Sequence, residues 1–309
     1  MSEGALKTAA LPAFIPPMLA VQGKPFDSKD YLFEVKWDGI RALVFVEGGK
    51  YRLVSRRRID ITERYPELSC LGNLPDGTLL DGEIVAFNTE GKPDFTALQT
   101  REQPRPSAYA RALARKLPAT FIAFDQLYAR GKTIMNQTCE SRRRRLGATL
   151  KRCPGERLMF SQGVNGKGVA FFRATLEQGL EGIMAKRRDS AYTPGKRNGT
   201  WIKVKRQNVM ICAIIGFVAE ARDIRTLVLA GELKGEAAYV GRVGSGISRE
   251  TNGQLYKLLT PLVCDEPAIP CDQKATWVRP EVYCKVRYLE QTEAGQLRFP
   301  VFVEICHGS

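Results

Sequence analysis

Apolar and polar positions alternate in two different textures along the chain. In the first two thirds, strand-like apolar runs take turns with helical spacing and polar loops. "DYLFEVKWDGIRALVFVEGGKYRLVSR" predicts two strands joined at Gly48-Gly49, a β-hairpin signal. "RIDITERYPEL" predicts a short helix capped by Thr62, and "GTLLDGEIVAF" a third strand carrying Asp81 and Glu83 among apolar neighbours. The stretch from Pro93 to Lys116 mixes loop and helix, "TFIAFDQLY" predicts a buried strand, and "NQTCESRRRRLGATL" a helix. "KGVAFFRATLEQGLEGIMAKRR" predicts a helix ending near Gly179 and then the strand "EGIMAKR". The polar loop "DSAYTPGKRNGT" leads into the strand "WIKVKRQ".

From Val209 the texture changes to short strands and glycine turns, among them "VMICAIIGFVA", "TLVLAGEL", "AAYVGRVGSGIS", "ATWVRPEVYCKVRYLE" and "RFPVFVEI". One helix, "RETNGQLYKLLTPL", interrupts them, a pattern that suits a small β-barrel such as an OB-fold. The domain boundary is expected near Lys205–Val209, dividing the chain into residues 1–205 and 206–309.

The length, 309 residues, agrees with two domains, and the balance of 44% hydrophobic and 26% charged residues is that of a globular protein. The net charge of +14 shifts the picture toward a polyanionic partner such as nucleic acid. Eight cysteines without a CxxC pair, and a single histidine at 307, argue against a zinc site and against a serine–histidine triad. They are read as free thiols in a reducing compartment. The amino terminus lacks the unbroken apolar core of a signal peptide and no segment is long enough to span a bilayer, so the expected location is cytoplasmic.

The candidate chemistry starts from Lys36, set among Phe33, Val35 and Trp37. A lysine amine is a nucleophile only when uncharged, and desolvation and neighbouring cations favour that form. Such cations lie on predicted strands: Lys186, and Lys203 and Lys205, whose spacing puts both on one face. Glu83 and Glu181 are carboxylates suited to a divalent metal that would neutralise a triphosphate. Phe124 and Tyr128 are candidates for stacking on a base. The ensemble suggests attack of a lysine on a nucleotide phosphate. "GVNGKG" at 163–168 lacks the spacing and hydroxyl residue of a phosphate loop and reads as an ordinary loop. "RRRR" at 142–145 reads as the solvated face of a helix, with DNA contact the alternative. Tyr192 and Trp201 read as packing residues.

In their order, "KWDG", "SRRR", "LLDGEIV", "FIAFDQLY", "EGIMAKR" and "WIKVK" resemble the motif series of covalent nucleotidyltransferases. Within these the chain is most similar to ATP-dependent DNA ligases of the small bacterial kind, typified by the ligase domain of ligase D. "AYTPGKRNGTWIKVK" and "YVGRVGSGIS" favour that subgroup over capping enzymes. The resemblance runs from "FIPPMLA" to "LRFPVF". It implies an α+β fold: a nucleotidyltransferase (adenylation) domain of antiparallel sheets with flanking helices, followed by an OB-fold domain.

It also implies that Lys36 takes AMP from ATP as a lysyl phosphoramidate, and that Arg41 and Arg56 contact ribose or phosphates. Glu83 would act at the ribose or the metal (Mg or Mn), and Glu181 at the metal. Phe124 would stack on adenine and Glu34 border its amino group, with Lys186 also in the nucleotide site. Lys203 and Lys205 would grip the α-phosphate, and Asp38, otherwise a turn residue, would serve the later sealing step. AMP then passes to the 5′-phosphate of a nick and leaves when the 3′-hydroxyl attacks. The implied partners are nicked or broken duplex DNA and, by family analogy, a Ku-type end-binding protein. The implied setting is DNA repair by a monomer in the bacterial cytoplasm, at the nucleoid.

The tail "VEICHGS" departs from the family pattern, which places a basic-acidic motif after "RFPxF" to orient pyrophosphate. Two alternatives stand beside a ligase. One is another covalent nucleotidyltransferase, an RNA ligase or a capping guanylyltransferase. The other is a nick-binding protein with impaired self-adenylation.

Overall fold

Residues 40–47 are apolar at nearly every position because the strand they form is covered on both faces. Ala42, Val44 and Val46 enter one hydrophobic cluster and Leu43 and Phe45 another, and all five are buried. Each large apolar side chain so buried contributes roughly 1.5–3 kcal/mol. The structure, a computed structural model, describes residues 10–102, 107–152, 155–206, 208–233, 235–288, 290–292 and 294–306. The chain forms two compact units, Met1–Lys205 and Arg206–Ser309.

In chain order the strands of the first unit are β1 (Val21–Gln22), β2 (Ser28–Val35), β3 (Ile40–Glu47), β4 (Lys50–Ser55), β5 (Thr78–Ala86), β6 (Ala119–Ala129), β7 (Lys132–Thr133), β8 (Leu158–Phe160), β9 (Gly163–Gly166), β10 (Gly182–Arg187) and β11 (Trp201–Lys205). Its helices are α1 (Phe95–Glu102), α2 (Ser107–Lys116), α3 (Cys139–Arg152) and α4 (Gly168–Glu177). One sheet has the order β1-β11-β10-β2-β9, the other β4-β3-β5-β6-β7 with β8 beside β6. All pairings are antiparallel except β1 with β11 and β6 with β8. β3 and β4 form the expected hairpin, with Gly48 and Gly49 at φ 59° and 69°, as a two-residue type I′ turn requires. The single strand expected before that turn is two, β2 and β3, broken at residues 36–39 and placed in different sheets.

Three local expectations are corrected. Thr62 does not cap an α-helix. It opens a 3₁₀ turn (Thr62–Arg64), and its hydroxyl accepts from Leu53 N and donates to Asp60, tying the turn to β4. The segment read as the loop "GVNGKG" supplies β9, whose backbone pairs with β2 although glycine and asparagine have little strand propensity. The four arginines 142–145 of α3 do not form one solvated face. Arg142 and Arg143 are buried, and only Arg144 and Arg145 are exposed.

The second unit holds β12 (Asn208–Glu220), β13 (Asp223–Leu233), β14 (Glu236–Val243), α5 (Arg249–Leu259), β15 (Val263–Cys264), β16 (Thr276–Val278), β17 (Tyr283–Tyr288), β18 (Glu290–Gln291), β19 (Leu297–Arg298) and β20 (Val301–Cys306). β12 pairs with β17 over Asn208–Ala213 and with β16 at Gly216–Phe217, so one long strand serves two neighbours. Beyond β14, Ser245 O accepts from Phe302 N of β20 at 2.9 Å. The run "ATWVRPEVYCKVRYLE" is two strands, interrupted around Pro280, which has no N–H for a ladder. Leu255 and Leu259 of α5 complete the core, and Ser248 caps that helix by accepting from Thr251 N at 3.1 Å. Among the described residues no helix is long and apolar enough to cross a membrane, and every described cysteine is a free thiol.

Candidate active site

Alternation along the strands sorts the first unit's side chains into core and cleft. On β10, Ile183 and Ala185 pack into a cluster with Phe33 of β2 and Val204 of β11, which α4 covers with Phe171 and Phe172. The intervening residues, Glu34, Met184, Lys186, Trp201, Lys203 and Lys205, line a cleft of about 290 Å³. The other sheet adds Arg41 of β3, Glu83 of β5 and Phe124 of β6, and Arg56 beyond β4. On β5, Leu80 and Ile84 enter the core on the far side of the sheet, so Asp81 and Glu83 face the other way.

Lys36 sits just past the end of β2, its N–H donating to Gly182 O at 2.9 Å. Three residues on, the backbone of Gly39 runs so close to β5 that an added Cβ would lie 2.2 Å from Ile84 O and 2.9 Å from Glu83 Cγ. Glycine is therefore required for this approach, which brings Lys36 and Glu83 to one cleft.

The Lys36 ammonium donates to Glu181, whose second oxygen pairs with Lys205. The nucleophile candidate thus meets a carboxylate directly, where neighbouring cations alone were expected. Burial pushes the Glu181 carboxyl up, but the Lys36 charge and the hydrogen bonds from Lys205 and Lys36 outweigh it and hold it below its usual range. Lys203, one strand position from Val204, is lowered by burial and then by the charges of Lys205, Arg197 and Lys36. Asp38 is raised by burial and by Glu181. Glu83 makes no hydrogen bond or ion pair among the described residues. Burial pushes its carboxyl up to about 8 against the opposing charges of Arg41 and Lys36.

At the other end the cleft is aromatic. Phe124 and Trp201 meet edge to face at 6.0 Å, with Lys186 Nζ 4.3 and 4.5 Å from their centroids. Lys186 donates to Glu34 Oε2 at 3.0 Å and Phe124 O at 3.3 Å, and Arg143 Nη1 contacts Glu34 Oε1 without hydrogen-bond geometry. Arg41 grips the buried Asp81 with two bonds of 3.0 and 2.7 Å and donates to Met18 O at 2.7 Å. Burial opposes the Arg41 charge, yet Asp81 holds the guanidinium above its usual value. Tyr192 donates to Asp81 at 2.7 Å and packs on Trp201, as expected of a packing residue.

The candidate residues Glu34, Lys36, Arg41, Arg56, Glu83, Phe124, Lys186, Lys203 and Lys205 all line this one cleft, and Glu181 reaches it through Lys36 and Lys205. Asp38 follows on the Lys36 loop and senses the same three charges. Tyr128 packs into the adjoining hydrophobic cluster and does not line the cleft. Trp201, expected only to pack, also lines it, as do Arg197, Trp37 and Met184, for which the sequence carried no expectation. For Arg197 the only signal was its place in the loop before "WIKVK". Among the described residues no three His, Cys, Asp or Glu side chains are grouped to hold a metal. A divalent ion carried in with phosphates needs only one or two protein carboxylates, which the unpartnered Glu83 suits. Each Glu181 oxygen gives one lone pair to a lysine and keeps another with which it could join Glu83.

A cleft with an edge-to-face aromatic pair at one end and several cations and an unpartnered carboxylate at the other suits a phosphorylated nucleotide. The family model described as "ATP dependent DNA ligase domain" matches residues 17–205, and "ATP dependent DNA ligase C terminal region" matches 220–307. The chain belongs to the ATP-dependent DNA ligase family. It is 35% identical over 296 residues to the multifunctional non-homologous end joining DNA repair protein LigD of Mycobacterium tuberculosis, covering 91% of this chain and 37% of that protein. The LigD of Pseudomonas aeruginosa is 31% identical over 306 residues, 94% of this chain and 35% of that protein. The chain thus spans little more than a third of these curated relatives. The solved ligase domain of M. tuberculosis LigD superposes with a TM-score of 0.58 at 32% identity, over 94% of this chain and 95% of that one. A mycobacterial DNA ligase D complexed with ATP and MES gives 0.57 at 32% identity, over 93% of each chain.

Proposed function

We propose that the protein seals 5′-phosphate/3′-hydroxyl nicks or breaks in duplex DNA with ATP, through an AMP carried on Lys36. The observation that carries this reading is the convergence of Lys36, Glu181, Lys205, Lys203 and Glu83 on one cleft whose far end is aromatic. The Lys36 amine, once deprotonated, attacks the α-phosphorus of ATP. An N–P bond forms and the P–O bond to pyrophosphate breaks. Lys203 and Lys205 hold the α-phosphate and offset charge that develops on it, a stabilisation worth most where water is excluded. Glu181 fixes the Lys36 amine and Lys205 in register before attack. Phe124 stacks on adenine, Glu34 and Lys186 border it, and Arg56 meets ribose or phosphate. Arg41, largely committed to Asp81, contributes as a fixed charge.

Magnesium or manganese would be held by Glu83, with Glu181 as a second ligand, and would neutralise phosphate charge. Asp38 serves the sealing step. Residues 1–205 form the nucleotidyltransferase domain and 206–309 an OB-fold domain; the long β12, shared between β17 and β16, supports the barrel reading. The likeness to LigD proteins supports a role in end joining, with a Ku-type protein as partner, by a monomer in the bacterial cytoplasm at the nucleoid.

The test is a sealing assay on a 5′-labelled nicked duplex with ATP and a divalent metal. Ligated product that depends on ATP supports the proposal. Sealing only of a nicked RNA strand, or none with intact nick binding, overturns it.

A further inference from the structure

Arg143 touches the cleft from behind without lining it. We infer that Arg143 is a positioning residue for base recognition, acting through Glu34 and Phe124; the inference rests on the reading of the cleft proposed above. Its guanidinium, 7% exposed as a residue, contacts Glu34 Oε1 and donates to Phe124 O at 3.2 Å and Ser161 O at 2.7 Å, while lying 4.6 Å from the Phe160 ring centroid. Glu34 belongs to β2 in one sheet and Phe124 to β6 in the other, so one side chain on α3 ties both sheets together at the aromatic end of the cleft.

Lys186 completes the clamp from within, since it donates to the other Glu34 oxygen and to the same Phe124 carbonyl. A carboxylate has about four lone-pair sites. Lys186 and Ser161 Oγ, at 3.0 and 3.3 Å, donate to Oε2, and the Arg143 charge stands against Oε1 without taking its lone pairs, which leaves Oε1 an acceptor beside the Phe124 ring for the exocyclic amino group of a purine. The Arg143 fork reaches three acceptors in different directions, which a lysine's point charge cannot do at once. Without Arg143, Glu34 keeps Lys186 and Ser161 on Oε2 but nothing holds Oε1 in place.

Full-length Arg143→Met, Arg143→Lys and Glu34→Gln are assayed for covalent labelling by α-labelled ATP and by ITP, which has an oxo group where ATP has the amino group. Arg143→Met should lower the ATP-over-ITP preference in kcat/KM roughly tenfold, mostly through KM for ATP, with Arg143→Lys between it and the parent. A structural role alone would depress both nucleotides equally, and that result, or an unchanged preference, overturns the inference. If Arg143→Met fails to fold, Arg143→Lys decides by the same ratio. Glu34→Gln separates the two levels of the argument. A preference retained in Glu34→Gln sinks the base-recognition reading and the inference with it. A preference lost there but intact in both Arg143 variants sinks the inference alone.

Discussion

Glu83→Gln should make the first unit more stable at neutral pH and less able to transfer nucleotide. Burial raises the Glu83 carboxyl from 4.5 to about 8, and no hydrogen bond compensates. Because the folded-state value lies above the unfolded one, the favourable contribution is complete below pH 4.5 and is lost as pH rises through about 8. Each pH unit in that window is worth ~1.4 kcal/mol, so the proton that Glu83 must take up on folding opposes folding by at most ~3 kcal/mol at pH 7. Its carboxylate opens on the cleft, where solvent screens it, and ~2 kcal/mol is the working figure. Glutamine keeps the shape and removes the charge. The Gln variant should therefore melt about 4–8 °C higher at pH 7, with the gap closing near pH 4.5 and level above pH 8. The assay is thermal unfolding from pH 4.5 to 9 without nucleotide or metal. A gap that is absent at pH 7, or that does not change with pH, would refute the reasoning.

Arg142 pairs with fully buried Asp125 through bonds of 2.8 and 2.9 Å. Arg142→Met strands that carboxylate and should cost about 3–5 kcal/mol in chemical denaturation; a loss under ~1 kcal/mol would contradict the account. Gly39→Ala must push against Ile84 O, so nucleotide transfer should fall at least ~10-fold and stability by about 1–3 kcal/mol, and a variant with parent kinetics would show the approach to be unimportant. Binding to nicked duplex should weaken roughly 10³-fold or more between 50 and 200 mM salt, read by fluorescence anisotropy, because phosphate contacts dominate; salt-independent binding would contradict a backbone-reading surface.

The strands were legible because their signals are local. The Gly48-Gly49 turn and the apolar run from Ile40 to Val46 each carry their own period. The cleft was legible in its residue types, since Lys36, Glu83, Phe124 and the lysines of "WIKVK" meet there. What partners those residues was not. Glu181 lies 145 positions from Lys36, and Arg143 reaches Glu34 from a helix more than a hundred residues away, so no spacing rule links them. The arginines of α3 misled because charge usually marks a solvated face, whereas Asp125 and Glu34 were already waiting in the interior for Arg142 and Arg143. Thr62 misled because a capping residue and a strand-tying hydroxyl look alike in sequence.

The central claim is that Lys36 carries the nucleotide. The most direct measurement is covalent labelling of the protein by α-³²P-ATP and a divalent metal, after pyrophosphate has stripped any bound AMP, with the labelled peptide mapped. The account predicts an acid-labile label on the peptide containing Lys36, absent in Lys36→Ala and not formed from GTP. Label on another residue, or none in folded protein that still binds nicked DNA, would contradict it.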